Sequence, residues 1–200
     1  MMKNCLLCGV GGQGTVLASR IIAAAAMAKG LDARTAETIG MAQRGGSVVS
    51  HVRIGEVPGE KVTGPLVPEG SADVLIGFEP GEAARNLRYL RPDGVVIVCG
   101  QEVRPVTASL GQSGYRGEDA VVYLKQKAAH CFVIDVERIC GECGSPRVTN
   151  VALVGAMAGT GAMSLTVPDV EKALETRLRP SLLEMNRKAL IMGAEGMNQL

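Results

Sequence analysis

Lys3-Asn4-Cys5-Leu6-Leu7-Cys8-Gly9-Val10-Gly11-Gly12-Gln13-Gly14 is the stretch on which the reading of this chain turns. A short apolar run that ends in glycines fits a buried strand. The segment after it, Gly14–Lys29, carries Leu17, Ile21, Ala25 and Ala28 at helical spacing, and Gly30 suits a helix C-terminus. The chain therefore opens strand, glycine turn, helix. Gly9, Gly11 and Gly14 satisfy G-x-G-x-x-G in that context, with Gly12 and Gln13 between them. Glycines allow the sharp turn, and free N–H groups at the helix start attract phosphate. In a dinucleotide site an acidic side chain at the end of the second strand holds a ribose, and Glu37, 23 residues beyond Gly14, is the candidate. The motif alone leaves three readings open: a phosphate loop, a nicotinamide-dependent dehydrogenase, or a tight turn that binds nothing.

Further along, Ser47–Ile54 alternates, with Val48, Ser50, Val52 and Ile54 on one face, as a half-buried strand does. Asp73–Phe78, Gly94–Cys99 and Cys131–Val136 are short apolar runs of strand type, separated by helical patterns over Glu79–Leu90 and Asp119–His130. Val57–Gly70, rich in Pro and Gly, reads as a loop. Thr149–Met163 is an Ala/Gly/Met-rich helical stretch, and Pro168, shortly after Thr166, sits where a further helix can start, with Asp169 and Glu171 in its first turn. Strands that alternate with helices predict an α/β fold. The sheet is expected to be Rossmann-like and mainly parallel, flanked by helices, with a helical C-terminal region. At 200 residues the chain suits one such domain, spanning 1–200.

Composition narrows the function. Hydrophobic residues make up 46% of the chain, aromatics only 2%, and Trp is absent, so Val, Ile, Leu, Ala and Met must build the core. Lys plus Arg number 21 against 20 Asp plus Glu, with no basic stripe, which argues against a nucleic-acid partner. No apolar stretch reaches membrane-spanning length unbroken, and no secretory leader is evident, so a cytoplasmic protein with reduced thiols is expected. Cys5-x-x-Cys8 lies on the first strand, where residues three apart point to opposite faces and cannot easily share an ion. Cys140-x-x-Cys143 falls in a loop-like stretch. His51 and His130 have no nucleophile pattern beside them, and no catalytic residue is assigned to this chain.

A second dense segment is Glu37-Thr38-Ile39-Gly40-Met41-Ala42-Gln43-Arg44-Gly45-Gly46-Ser47, in which Arg44 offers an anion-binding fork on a glycine-flanked loop. Taken with the first segment it is far more specific. G-V-G-G-Q-G-x-x-x-A-S followed by E-T-x-G-M-x-Q-R-G-G-S-V-x-S-H-V-R resembles the gamma-type subunits of 2-oxoacid:ferredoxin oxidoreductases. The phrase Met41–Gly46 most resembles the indolepyruvate type, in which this subunit is termed beta. Asp73–Glu79 and Asn150–Ala156 agree, so the likeness spans nearly the whole chain.

The resemblance implies an accessory subunit. The family converts a 2-oxoacid and coenzyme A into an acyl-coenzyme A and carbon dioxide, and electrons pass through thiamine diphosphate and iron–sulfur clusters to ferredoxin. This chain has neither the thiamine signature nor a Cys-x-x-Cys-x-x-Cys run. Thiamine diphosphate and the clusters are therefore expected on a larger, catalytic partner subunit, with coenzyme A as the co-substrate this chain contacts. The expected binding set is Gly9, Gly11, Gly12, Gln13, Gly14, Glu37, Gln43, Arg44, Gly45 and Gly46. Val151–Met163 is open to two readings, a partner-facing surface or core.

Overall fold

The computed structural model describes residues 2–39, 45–103 and 114–197. Strand β1 runs Met2–Val10, and Cys5, Leu6, Leu7 and Cys8 are fully buried, as a strand covered on both faces requires. Helix α1 follows at Thr15–Ala28. Strands β2 (Ala33–Ile39), β3 (Ser47–Gly55), β4 (Ala72–Gly77), β5 (Leu90–Cys99) and β6 (His130–Ile134) complete a six-stranded sheet of order β2-β3-β1-β4-β5-β6. Helix α2 (Pro80–Asn86) links β4 to β5, and α3 (Gly117–Lys127) precedes β6. Four helices end the chain: α4 (Val136–Cys143), α5 (Thr149–Thr160), α6 (Val167–Arg177) and α7 (Pro180–Glu195).

The mainly parallel sheet is borne out for β1, β4, β5 and β6. β3 departs from it, running antiparallel to both β1 and β2. Fewer residues lie between Ile39 and Ser47 than the dozen or so a parallel crossover needs, so β3 must turn back on β2. It then inserts between β2 and β1.

Two cores lie on opposite faces. Cys5 and Leu7 join Ile21 and Ile22 of α1 and the buried residues of α5, α6 and α7. Leu6 and Cys8 join Ala83 of α2 and Leu124 of α3. Cys5 and Cys8 thus belong to different cores, as their spacing on a strand predicts. The helix after β1 and the helix after β4 therefore cover opposite faces, although the two strands are parallel neighbours. Such a switch opens a crevice beyond the carboxyl ends of the strands.

The C-terminal helices correct two expectations. Ile139–Gly144 is largely helix rather than loop: the Asp135 side chain accepts from Arg138 N–H, and Val136 and Ile139 are buried three residues apart on α4. The stretch Val151–Met163 is core and not a partner surface, since Val151, Met157 and Met163 are at most 1% exposed. Its glycines explain the composition. A Cβ on Gly155 would sit 2.1 Å from Leu190 O, and one on Gly193 2.0 Å from Ala152 O. Helices α5 and α7 therefore touch backbone to backbone. Pro168 does stand at a helix start, where Thr166 and Asp169 form a reciprocal cap.

The loop expected over Val57–Gly70 is a loop, fastened to the sheet by burial of Val62 and Val67. Val67 N–H donates to Nδ1 of His51 at 3.2 Å, and Tyr89 meets the same ring edge-on. Burial lowers the His51 pKa.

Two measurements check these contacts. Gly155→Ala or Gly193→Ala forces a methyl into a neighbouring backbone, and the urea midpoint is expected to fall by the equivalent of about 3 kcal/mol, the upper range for overpacking. The His51 contact requires the neutral ring. Its stabilisation is full above the ordinary imidazole value of 6.5 and is lost as pH falls through the lower folded value. Stability measured between about pH 6.5 and pH 5 is expected to drop, and His51→Asn is expected to flatten that slope.

Candidate functional site

The glycine loop lies at the β1/β4 switch. Gly12 and Gly14 have φ of +102° and +86°, a region that only glycine enters without strain, so the motif is a sharp strand-to-helix turn. Gly14 stands immediately before α1 and supplies no side-chain cap, which leaves the first N–H groups of the helix without one. Gln13 closes the turn. Its Oε1 accepts from Val10 N–H at 2.7 Å, and its Nε2 donates to Phe78 O at 3.0 Å. One amide therefore joins the end of β1 to the residue after β4. Gly9 makes room for it, because a Cβ there would lie 2.7 Å from both Gln13 Oε1 and Phe78 Cβ. Gly11 N–H donates to Gly46 O at 2.9 Å, which ties the second sequence segment to the first.

On the α1 face the loop opens into a crevice of about 540 Å³. Gly12, Gly14 and Leu17 form one wall, and Cys99 and Gln101 the floor at the end of β5. Opposite stand Arg147, Thr149 and Asn150, from a short 3₁₀ turn (Pro146–Val148) and the start of α5. Asn150 approaches the loop closely: its Nδ2 is 3.0 Å from where a Gly14 Cβ would be. Burial pushes the Cys99 thiol up to about 11, so it is protonated at neutral pH.

The α2 face is of opposite character. Val10, Gly45 and Ser47 border a smaller depression of about 210 Å³ that also holds Glu79, Glu82 and Tyr115. Both carboxylates are buried and spoken for. Glu79 caps α2 by accepting from Glu82 N–H and also accepts from the Tyr115 hydroxyl. Glu82 accepts from Ser47 Oγ at 2.6 Å and pairs with Arg85. Burial first, and the Glu79 contact second, hold the Tyr115 phenol well above its usual range.

The expected site residues are thus partly assembled. Gly9, Gly11, Gly12, Gln13, Gly14 and Gly46 meet at one point, and Gly45 adjoins on the acidic side. Gln43 and Arg44 lie outside the described residues. Glu37 is not brought to the loop: its register partner is Ser50 of β3, whose own partner is Leu7 of β1. Two strand spacings, roughly 10 Å, separate it from β1. Sequence reading missed Arg147 and Asn150, although Ser145-Pro146 is a helix-start signal, with the Ser145 side chain accepting from Arg147 N–H. Among the described residues, no group of three or more His, Cys, Asp or Glu is placed to hold a metal ion, and no helix is long and apolar enough to cross a membrane.

Comparison with known proteins gives a consistent picture. Residues 4–196 match the family described as pyruvate ferredoxin/flavodoxin oxidoreductase. The chain is 40% identical to an indolepyruvate oxidoreductase subunit IorB of Archaeoglobus fulgidus, over 96% of this chain and 94% of that one. It is 30% identical to the common gamma subunit of the pyruvate/ketoisovalerate oxidoreductases of Pyrococcus abyssi, over 90% and 89% of the two chains. Its fold is similar to that of a keto/oxoacid ferredoxin oxidoreductase gamma subunit from Geobacter sulfurreducens, with a TM-score of 0.71 at 24% identity and 99% of each chain covered.

The assignment of Gln13 as a clamp can be checked by stability. Gln13→Ala leaves Val10 N–H and Phe78 O unpaired and is expected to cost about 2 kcal/mol, a fall of several degrees in Tm. Gln13→Glu keeps the acceptor but turns a carboxylate oxygen toward Phe78 O, so it is expected to be no better than the Ala variant. Unchanged melting of both variants would release the side chain for ligand binding.

Proposed function

Because the chain belongs to the pyruvate ferredoxin/flavodoxin oxidoreductase family, as a small accessory subunit of a 2-oxoacid:ferredoxin oxidoreductase, we propose that its complex acts on aryl pyruvates, indolepyruvate first among them. The reaction is oxidative decarboxylation with coenzyme A to the acyl-coenzyme A and carbon dioxide, with reduction of ferredoxin. The observation that carries this choice of substrate is the higher identity to the indolepyruvate subunit, 40%, than to the pyruvate/ketoisovalerate gamma subunit, 30%.

The chain acts as one unit over residues 1–200, docked in a cytoplasmic complex on a larger catalytic subunit. Thiamine diphosphate and iron–sulfur clusters on that partner supply the carbonyl and electron-transfer chemistry. The part left to this chain is binding. Gly12 and Gly14 turn backbone toward the crevice, and Gly46 is tied to Gly11 beside them; with Gln43, Arg44 and Gly45 of the same sequence segment, they are the residues proposed to border the phosphates of coenzyme A. Gln13 supports this loop from within. Glu37, with β3 between it and β1, contributes nothing to a ribose here, which weighs against a nicotinamide cofactor.

The test is reconstitution with the partner subunit and measurement of viologen-dye reduction with indolepyruvate, phenylpyruvate and pyruvate. The highest kcat/KM is expected for indolepyruvate; a preference for pyruvate would overturn the substrate assignment. In the same assay Arg44→Ala is expected to raise the KM for coenzyme A about ten- to hundredfold, the loss of one charged phosphate contact. Arg44→Lys is expected to recover only part, because an ammonium lacks the planar fork. An unchanged KM with normal assembly would remove Arg44 from the site.

A further inference from the structure

We propose that Asn150 and Arg147, facing the glycine loop across the crevice, form the phosphate subsite of this chain. The inference rests on the coenzyme A reading for the identity of the ligand, and names the residues that hold its phosphates. Neither residue belongs to the glycine motif or to the Arg44 segment.

The strongest observation is Asn150. The residue is only 6% exposed, yet its amide is half used: Oδ1 accepts from Val151 N–H at 2.9 Å, while Nδ2 has no hydrogen-bond partner among the described residues. Nδ2 keeps surface open to the crevice and is free to donate to a ligand there. It points to the Gly14 side of the crevice. A phosphate oxygen in the crevice beside Asn150 and Gly14 would satisfy it.

Arg147 supplies the charge. It is exposed on the wall of the crevice and has no carboxylate partner among the described residues, unlike Arg85, Arg88, Arg138 and Arg187, which are all ion-paired. Among the described residues the crevice lining contains no carboxylate. Neighbouring depressions do: Glu79 and Glu82 on the α2 face, Asp135 and Glu137 beyond β6, Glu102 before α3 and Glu118 in its first turn. An anion entering this end of the sheet therefore meets one cationic crevice among acidic ones. The first turns of α1 and α5, helices of 14 and 12 residues, add their dipoles at the same point.

The shape narrows the ligand class. Leu17, 41% exposed, gives the lip an apolar patch beside the anion pole. About 540 Å³ holds a pyrophosphate and what adjoins it, but not a whole coenzyme with its long arm. The fitting ligand is a phosphate ester or pyrophosphate with a less polar extension that leaves the crevice past Leu17.

The test uses the full chain and inorganic pyrophosphate, coenzyme A and pantetheine as probes. Binding is followed by calorimetry at low salt, and its location by the amide resonances of Gly12, Gly14 and the Asn150 side chain. Pyrophosphate and coenzyme A are expected to bind and to shift all three resonances, and pantetheine is not. Arg147→Gln is expected to weaken both about tenfold or more, Arg147→Lys less, and Asn150→Asp more than either because it sets a carboxylate against the anion. Arg147 is exposed, so its variants test the site even where Asn150→Asp perturbs folding. Coenzyme A binding that is equal in wild type and the Arg147 variants would overturn the subsite and leave the coenzyme reading standing. Pyrophosphate binding that responds to Arg147, with coenzyme A binding no better than pantetheine, would support the subsite and overturn the coenzyme reading. Absence of any binding or resonance shift at millimolar pyrophosphate would overturn the subsite.

Discussion

The side-chain amide of Gln13 spans the two strands between which the molecule changes face. β1 sends its helix to one side of the sheet and β4 sends its helix to the other, so the backbone beyond them is pulled apart. The hydrogen bonds from Val10 N–H to Gln13 Oε1 and from Gln13 Nε2 to Phe78 O hold that parting edge together. They also set the position of the loop from Gly11 to Gly14, because the residue that makes them lies inside it. A Cβ at Gly9 would collide with the amide, which gives that glycine a packing role and not a ligand role. The motif thus divides its work: Gly9 and Gln13 build the turn, and the backbone of Gly12 and Gly14 is what a ligand would meet.

Across the crevice the opposing wall is as firmly placed. Asn150 is the second residue of α5, and α5 is pinned by direct backbone contact with α7 at Gly155 and Gly193. No side chain stands between the two helices there, so little rotamer freedom remains to let α5 slide. That close approach explains why a stretch rich in Ala, Gly and Met is core. It also means that the spacing between Gly14 and Asn150 is held by two independent contacts, the Gln13 bridge on one side and the helix pair on the other. Glu79 and Glu82 are buried on the α2 face; on the α1 face the crevice has no carboxylate among its described lining residues, while Asp135 and Glu137 border the next depression.

Much of the fold was legible because its signals are local. The strand, turn and helix around Gly9–Gly14 follow from hydrophobic spacing and glycine, and the start of α6 follows from Thr166, Pro168 and Asp169. What was not legible depends on contacts between distant segments. The reversal of β3 is implied by the short Ile39–Ser47 connection, but its insertion between β2 and β1 is not, and that insertion is what moves Glu37 away. The half-paired amide of Asn150 cannot be seen in a sequence, since it arises only when α5 is set against the glycine loop. Cys140 and Cys143 were misplaced for a local reason: the helix that carries them starts at an Asp135 cap whose signal is weak beside the glycines that follow.

The displaced Glu37 has a consequence for how G-x-G-x-x-G should be read. In a dinucleotide site the glycine turn and the acidic residue work as a pair, because the second strand lies beside the first and delivers a carboxylate to the ribose. Here an antiparallel strand occupies the place next to β1, so the glycine turn forms but has no acidic partner from β2 beside it. Any ligand contact beyond the turn would then come from elsewhere. The β2–β3 connection reaches the loop from one side through Gly46 O and Gly11 N–H, and the start of α5 closes it from the other. One strand inserted into the sheet is enough to part the glycine turn from its acidic partner, and with Glu37 out of reach the motif no longer specifies a dinucleotide.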